Sequence, residues 1–449
     1  MIGATRLVNE LARVVKRTRT DGISVCAHAR TRRVFRFAYD AIHQGLAQEG
    51  VSVTVKVLAD GRTGVASTDA LDAASLTRCV ATAREIARHW PPPDQLPALP
   101  VAYRLRTTQD YVPATARSTA ADGAAALKRL FHLCKGAGAA LAGSLVTGED
   151  EFAVVNSTGV ACYAGSTVAG AKLVTMYRQL SGYASGVTRH VKDLHLEQLL
   201  ERSLRQSLHA KEPATVPLGA YEVILEPEAV AELISWMGYT AFGAKHLQER
   251  TSFLAGRMGE QVMDPQVTIY DDGNDPAALR LPFDFEGTPK QRVVLVDRGT
   301  AAGVVYDTTY GARFGEASTG HAMPADEVDG PLPLHLGMAP GATGRAELIR
   351  RCRRGLLIPR FHYVNGLLNP REALMTGLTR EGTFLIEDGK VTRPVRTLRF
   401  TQSMLEAFGR VLGISREREL VADPSQELGC AVAPTVHLAA FHFTGRSEQ

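Results

Sequence analysis

The sequence predicts an α+β fold, with an N-terminal domain of mixed helices and sheet and a mostly β, barrel-like C-terminal domain around a buried central helix. Three observations lead to this prediction. Residues 51–58 alternate between apolar and polar side chains, as a half-buried strand does. Residues 221–226 alternate in the same way and run directly into a helical apolar pattern. From residue 291 to residue 400, short strand candidates are separated by glycine, proline and Asp-Gly turns.

The N-terminal domain is expected to cover residues 1–212. Up to about His89, the pattern predicts the order helix, strand, helix, strand, strand, helix, and Asp60 with Gly61 turns one strand back on the next. Prolines then mark an excursion over residues 91–117, because proline ends helices and cannot donate to a sheet. An alanine-rich helix, further strands and a leucine-rich helix complete this α+β domain.

The C-terminal domain is expected to cover residues 213–449, after a short proline-rich boundary. Its central helix should begin at Pro227, because the fixed backbone of proline suits a first helical turn. An apolar stripe at the spacing i, i+3, i+4 and i+7 predicts that this helix is buried. The stripe consists of Val230, Leu233, Ile234 and Met237.

The same helix lacks a zinc-binding motif. A buried helix that follows a strand is where many metallopeptidases carry His-Glu-x-x-His. This helix offers Ile234, Ser235 and Tyr239 instead, which supply neither an imidazole nor a carboxylate. We therefore predict no metal and no catalytic residue in this chain.

The composition is that of an ordinary globular protein. The 449 residues are 45% hydrophobic and 22% charged, and no run approaches the roughly 18 apolar residues of a membrane span. The net charge of +4, from 51 basic and 47 acidic residues, does not favour a nucleic-acid partner. The first residues show no signal-peptide pattern, so we expect a cytoplasmic location. Six cysteines without a C-x-x-C pair argue against a zinc ribbon and a redox motif.

Two local patterns could carry chemistry, and each also has an ordinary structural explanation. His246 and Glu249 have the i, i+3 spacing of two metal ligands, but without further ligands a surface contact is the simpler interpretation. Ser318, Thr319 and His321 place hydroxyls and an imidazole on one loop. No acid at an evident spacing orients this imidazole, so the alternative to a nucleophilic site is a plain turn.

Paired carboxylates occur at Asp271–Asp272 and at Asp284 with Glu286. Glycosidases use two carboxylates, but the sequence Asp-Asp-Gly-Asn that starts at Asp271 is first of all a turn. The glycines of the second half do not form a phosphate-binding motif after a strand. Local patterns alone therefore indicate an α+β protein without a recognisable active site.

Several longer stretches, spread over nearly the full length, share their order and spacing with one family. They include the strand and helix around Glu222 and residues 51–68, 83–87, 251–262, 271–273, 285–289, 318–322 and 384–390. Each stretch alone is only a turn, a strand or part of a helix. Together they resemble the TldD/PmbA proteins, which are also known as modulators of DNA gyrase.

This resemblance implies which kind of subunit the chain is. In the family, the TldD subunit is a zinc metallopeptidase with His-Glu-x-x-x-His on a helix and a later cysteine as third ligand. Alignment on the glycine of that helix places Ile234, Ser235 and Tyr239 at the first histidine, the glutamate and the second histidine. Cys430 lies in the right part of the chain, but its surroundings do not match, and no ligand role is carried over to it. The chain thus resembles the metal-free PmbA/TldE subunit.

By the same resemblance, we expect a non-catalytic subunit of a heteromeric TldD/TldE zinc metallopeptidase that cleaves unfolded or leader peptides. The expected partner is a TldD-like subunit that holds the zinc ion, in a heterodimer or a larger assembly. The expected substrate is an extended peptide, read mainly through its backbone. This chain itself needs no cofactor.

Peptide or partner contacts are expected on polar loops of the second half, at Ser318, Thr319, His321, Tyr363 and Arg380. Turns and packing are the alternative interpretation of each. Two other functions remain open. One is a stand-alone amide hydrolase of a specialised biosynthetic pathway, with ligands not identified from the sequence. The other is a protein that binds gyrase or DNA, which the near-neutral charge supports least.

Overall fold

The computed structural model describes residues 1–92, 96, 98–103, 110–209, 211–423 and 429–446. Within these ranges, no helix combines the length and the apolar character that crossing a membrane requires. The strands form two sheets, one in each half of the chain.

The first sheet lies between residues 22 and 188 and is flanked by helices. The helices and strands of this half are α1 (Ala4–Arg17), β1 (Gly22–Ala38), β2 (Ala41–Ala59), β3 (Arg62–Thr68), α2 (Ala73–His89), α3 (Pro113–Ala116), α4 (Ala120–Gly136), β4 (Ala140–Asn156), β5 (Ala161–Tyr177), β6 (Leu180–Thr188) and α5 (Leu196–Ser207). The six strands are antiparallel in the order β3-β2-β1-β4-β5-β6.

One predicted helix of the first half is absent, because the segment before Val51 is a strand. β1 and β2 pair along nearly their whole length, and the turn between them places Tyr39 and Asp40 at positive φ. Contacts between cross-strand neighbours such as Val34 and Leu46 stabilise this register of the two strands. Residues 140–156 likewise form one long strand, β4. The long partners β1 and β5 hold β4 extended on both sides.

The second half consists mainly of strands. Its elements are β7 (Gly219–Leu225), α6 (Pro227–Ala241), α7 (Ala244–Gln248), β8 (Ile269–Asp271), β9 (Val293–Asp297), β10 (Thr300–Ala301), α8 (Thr308–Phe314), β11 (His335–Met338), α9 (Arg345–Arg351), β12 (Arg354–Ile358), β13 (Phe361–Asn369), β14 (Leu374–Thr379), β15 (Phe384–Glu387), β16 (Lys390–Pro394), β17 (Leu398–Ser403), α10 (Met404–Phe408), β18 (Val411–Val421) and β19 (Cys430–Arg446).

These strands form a sheet of 13 strands with the main order β10-β9-β8-β11-β19-β7-β12-β15-β16. A branch through β17, β14 and β13 leaves from β19, and β18 also pairs with β19. The predicted α+β class is confirmed. Among the described residues the sheet does not close on itself, so the expected barrel-like form does not extend to a closed barrel.

Helix α6 is the buried central helix that the apolar stripe predicts. Pro227 occupies its first turn, and Val230, Leu233, Ile234 and Met237 are each 0% exposed. They pack in the large core of the second half together with Val223 and Leu225 of β7. Burial of such a stripe stabilises the fold by roughly 1.5–3 kcal/mol for each large side chain.

The boundary between the two expected domains, at residues 212 and 213, stays a proposal. It falls between α5, which packs on the first sheet, and β7, the first strand of the second sheet. Contacts also cross between the halves, for example between Lys56 and Glu286 at 3.2 Å.

The closest approach of α2 to the first sheet is at Gly64 in β3. A Cβ atom at Gly64 would collide with the carbonyl oxygen of Ala83 and the amide nitrogen of Ala87. We expect Gly64→Ala to lower the free energy of unfolding by about 1–3 kcal/mol, because helix and strand must separate. Chemical denaturation measures this loss. The matched control is Gly50→Ala in β2, where nothing lies within 4 Å of the new methyl group. Equal midpoints for the two variants would contradict this packing argument.

Candidate functional site

A cleft of about 750 Å³ opens beside α6 and is the candidate functional site. It lies between α6, the start of β13 and the start of β19, with the segment 332–334 and Leu336 on one side. Its polar and aromatic lining residues include Lys172, Tyr183, Ser185, Glu228, Glu232, Ser235, Tyr239, Arg360, His362, Tyr363, Asp423 and Cys430.

The polar face of α6 forms one wall of the cleft. Glu228, Glu232, Ser235 and Tyr239 follow one another at spacings of four, three and four residues, so they lie on one side of the helix. The apolar stripe of this helix was predicted from the sequence, but its polar stripe was not. The helical period of 3.6 residues also places Glu228 and Glu232 on one side of the helix, so the polar stripe could have been predicted in the same way.

Both glutamates of this wall are held by hydrogen bonds. The hydroxyl of Ser185 donates to Glu228 at 2.7 Å, and Arg202 lies 3.4 Å from the same carboxylate. The indole nitrogen of Trp236 donates to Glu232 at 3.3 Å. Burial raises the pKa of Glu228 and of Glu232 above the ordinary value of a glutamate, because a desolvated carboxylate is costly.

Arg360 gives the cleft a fixed cation. The guanidinium of Arg360 lies 4.1 Å from the centre of the Tyr183 ring and donates twice to Glu381, at 2.5 and 2.9 Å. Stacking on the ring, together with two hydrogen bonds to one carboxylate oxygen, holds the side chain in one orientation. The candidate Arg380 binds the same Glu381 at 3.2 Å, but it lies outside the lining of the cleft.

Tyr363 is the most exposed aromatic residue of the cleft. Its side chain is 79% exposed, and its backbone has a φ of 50°. It lies on β13, which pairs with β14 on one edge and with no strand on its other edge among the described residues. The neighbouring His362 ring lies 4.2 Å from the Tyr363 ring, and burial lowers the pKa of His362. A free strand edge beside an exposed aromatic ring suits an extended peptide.

The residues at the expected metal-binding positions do not fit a zinc ion. Ile234 is fully buried in the core, on the side of α6 away from the cleft, so it does not share a face with Ser235 and Tyr239. Ser235 and Tyr239 line the cleft but offer only hydroxyl groups. Cys430 also lines the cleft, and burial raises the pKa of its thiol to about 12, but Ser235 and Tyr239 supply no imidazole or carboxylate to bind an ion together with it.

The loop candidates Ser318, Thr319 and His321 belong to a different, interior network. His321 Nε2 lies 2.7 Å from Asp271 Oδ1, and its Nδ1 lies 2.9 Å from the hydroxyl of Thr319. Asp271 is thus the acid that the sequence analysis did not identify, 50 residues away in the chain. Both His321 and Asp271 are 0% exposed, and Thr319 is also bound to the backbone of Tyr306. This arrangement fixes the loop and leaves the imidazole of His321 without access to solvent.

The remaining sequence candidates have other partners. His246 Nδ1 lies 3.2 Å from the hydroxyl of Thr251, and Glu249 faces Lys245 at 3.9 Å, so each of the two residues contacts a neighbour of its own. The carboxylate of Asp284 accepts hydrogen bonds from the backbone amides of Glu286, Thr288 and Ala322. Asp272 accepts from the backbone amide of Asn274, as a turn residue does.

Comparisons with known proteins show which family the chain belongs to. Residues 218–445 match the family model described as PmbA/TldA metallopeptidase C-terminal domain, and residues 24–87 match PmbA/TldA metallopeptidase domain 1. The chain therefore belongs to the PmbA/TldD metallopeptidase family, as the resemblance predicted.

Individual relatives agree with this assignment. A metalloprotease TldD homolog of Haemophilus influenzae is 27% identical over 232 residues, which cover 51% of this chain and 47% of the relative. An uncharacterized protein of Methanocaldococcus jannaschii is 33% identical over 172 residues, which cover 38% and 40%. The chain spans about half the length, or less, of the curated relatives it matches.

Solved structures show the same fold over nearly the whole chain. The structure of TldE from Thermococcus kodakarensis superimposes with a TM-score of 0.87 at 21% identity and covers 97% of this chain and 99% of that chain. A putative modulator of a DNA gyrase from Thermotoga maritima gives a TM-score of 0.84 at 19% identity, with 94% and 96% covered. At these identities, the likeness establishes the fold alone.

The interior network beside the cleft predicts how stability depends on pH. His335 donates its backbone N–H to Asp271 at 2.6 Å, and burial lowers the pKa of its imidazole to about 4. In the unfolded chain the pKa of a histidine is about 6.5, so only the unfolded state gains this proton as the pH falls from about 6.5 to about 4. Folding should therefore lose on the order of 2 kcal/mol across this interval through His335.

Replacing His335 with glutamine removes this proton uptake. We expect the unfolding free energy of His335→Gln, measured by denaturation between pH 4 and pH 7, to fall less steeply on acidification than that of the parent protein. His43→Gln on the exposed part of β2 is the control and should keep the parent slope. Parallel curves for all three proteins would refute the assignment of a neutral, buried His335.

Proposed function

We propose that this chain is the non-catalytic, TldE/PmbA-like subunit of a heteromeric metallopeptidase that cleaves unfolded peptides or leader peptides. One observation carries the proposal: at the three positions where the family places its zinc-binding motif, Ile234 lies in the core, and Ser235 and Tyr239 offer only hydroxyl groups to the cleft. The membership in a metallopeptidase family and the TldE-like fold support it.

In this proposal, the chain binds substrate and forms part of the wall around the reaction site. An extended peptide adds to the free edge of β13 by main-chain hydrogen bonds, next to Tyr363. The fixed Arg360 and the carboxylates of Glu228 and Glu232 give the cleft groups of both signs, which suits the N–H donors and C=O acceptors of a peptide backbone rather than one side chain. A folded domain presents few free backbone groups, so only extended chains would fit.

The hydrolytic step belongs to the partner in this proposal. A zinc ion held by a TldD-like subunit would activate water for attack on the amide. The residues of the present chain position the peptide and exclude bulk water from it. Ser235 makes no hydrogen bond to an imidazole or a carboxylate in the described part of the chain, so nothing there activates its hydroxyl as a nucleophile.

Co-expression with a family member that carries His-Glu-x-x-x-His tests the proposal. We expect the two chains to co-purify and the complex to cleave an unfolded peptide, with a chelator abolishing cleavage and added zinc restoring it. The chain alone should not cleave the same peptide. Cleavage by the isolated chain that a chelator stops would overturn the proposal.

Chelator-sensitive cleavage by the isolated chain would favour the alternative function, a stand-alone amide hydrolase. It would require metal ligands other than Ile234, Ser235 and Tyr239. Failure to co-purify, together with salt-sensitive binding to DNA, would favour the DNA-binding alternative instead. The observation that favours this alternative is the similarity to the Thermotoga maritima protein, which is described as a putative modulator of a DNA gyrase.

The role of Tyr363 can be tested in the same complex. Tyr363→Ala removes the exposed ring beside the strand edge, and we expect KM for an unfolded peptide to rise about 5- to 30-fold with little change in kcat, because a contact of about 1–2 kcal/mol is lost. Val328→Ala is the control, since this side chain is 78% exposed but lies outside the cleft lining. The same KM for both variants would remove Tyr363 from the proposed binding site.

A further inference from the structure

Three potential metal-ligating side chains meet behind the cleft. Glu222 of β7, Cys352 after α9 and His437 of β19 each contribute one ligand atom, and these atoms all lie within 4.8 Å of one another. In the described part of the chain, this is the one group of three or more such side chains that comes so close together. None of the three lines the cleft.

Strand pairing brings the three residues together. β12 runs parallel to β7 and places Gly355 next to Glu222, while β19 runs antiparallel to β7 and places His437 opposite Ile224. The thiol of Cys352 occupies the space where a side chain at position 355 would be, 2.6 Å from an ideal Cβ. The cluster thus depends on a glycine at residue 355.

The cluster and the cleft lie on opposite faces of the second sheet. Val223 and Leu225 point into the core beneath α6, whereas Ile224 packs with Leu348 and Cys352 on the other face. Since side chains alternate along a strand, Glu222 shares the face of Ile224. A ligand bound at this cluster would therefore be separate from any peptide in the cleft.

The environment is that of a closed site with one opening. Cys352 is 0% exposed and His437 is 2% exposed, while the side chain of Glu222 is 25% exposed and gives solvent a route to the cluster. His437 Nε2 lies 2.6 Å from a carboxylate oxygen of Glu222. The other ring nitrogen, Nδ1, is buried and has no hydrogen-bond partner among the described residues. Among the described residues, the imidazole is therefore hydrogen-bonded only through Nε2, on the side that faces Glu222.

The ligand chemistry matches a borderline transition-metal ion. Thiolate, neutral imidazole and carboxylate are the groups that Zn²⁺ takes, at roughly 2.0–2.3 Å, and a water can complete a tetrahedral site. Ligand atoms around such an ion lie roughly 3–4 Å apart, so the Glu222–His437 pair would open slightly to admit it. Harder ions such as Mg²⁺ and Ca²⁺ prefer oxygen ligands and fit this set poorly.

Metal binding at this cluster is coupled to loss of a proton, because the thiol of Cys352 coordinates as a thiolate. The apparent affinity should therefore increase with pH.

From this geometry, we propose that Glu222, Cys352 and His437 form a structural site for one zinc-like divalent ion, which ties β7, β19 and the turn between α9 and β12 together. The site is separate from the cleft and supplies no catalytic residue.

Cobalt titration of the full chain, first freed of metal by a chelator, tests the site. We expect one equivalent of Co²⁺ to produce a thiolate-to-cobalt charge-transfer band in the near ultraviolet together with visible bands of tetrahedral Co²⁺, and the thermal midpoint to rise. Zn²⁺ should displace the cobalt and abolish the colour. Absence of any charge-transfer band at saturating Co²⁺ would refute the proposal.

Variants assign the signal to residues. Cys352→Ser should abolish the charge-transfer band, and His437→Gln should weaken binding at least tenfold. Cys430→Ser is the matched control, a buried cysteine on β19 that lines the cleft, and it should keep the band. If the band is lost in Cys430→Ser and kept in Cys352→Ser, the metal ion binds in the cleft. That result would contradict both the site proposed here and the proposal that the cleft holds no metal ion.

If Cys352→Ser does not fold, Glu222→Gln tests the same site, since its side chain is partly exposed. The neutral amide keeps a hydrogen-bond acceptor for His437 but removes the negative charge. We expect the charge-transfer band to persist and the Co²⁺ affinity to fall at least tenfold. Unchanged affinity in this variant would exclude Glu222 as a ligand and overturn the three-residue site.

Discussion

The hydrogen bonding of β19 is the constraint on which the second half depends. This strand pairs in succession with β11, β18, β7 and β17, so its backbone groups are satisfied on both edges. Residues 430–438 are buried without interruption, which a strand tolerates only in the interior of a sheet. Cys430 at the start of the strand reaches the cleft, and His437 reaches the proposed metal site. One strand therefore positions both sites.

Helix α6 divides the same region into a core and a cleft. Its apolar stripe packs against β7 and β19 and cannot be exposed without a large loss of stability. Its polar stripe is consequently fixed in space, although Ser235 and Tyr239 do no packing of their own in the core. Helix α6 needs no bound metal ion to keep this geometry, because the core holds the helix in place.

Much of the fold could be predicted from the sequence where one period dominates. The apolar stripe of α6, with Pro227 at its start, gave the correct helix and its burial, and the turn at Asp60 and Gly61 gave the hairpin of β2 and β3. The segment before Val51 was wrongly expected to be a helix. Its local pattern is ambiguous, and pairing with β1 decides it.

The sequence by itself determined the family, the α+β class and the absence of an imidazole or carboxylate at residues 234, 235 and 239, because these follow from residue identity and local period. Only the tertiary structure decided which distant side chains meet. Asp271 and His321 are 50 residues apart, and Glu222 and His437 are 215 residues apart. No local pattern encodes such pairs, since strand register and helix packing bring them together only when the chain has folded.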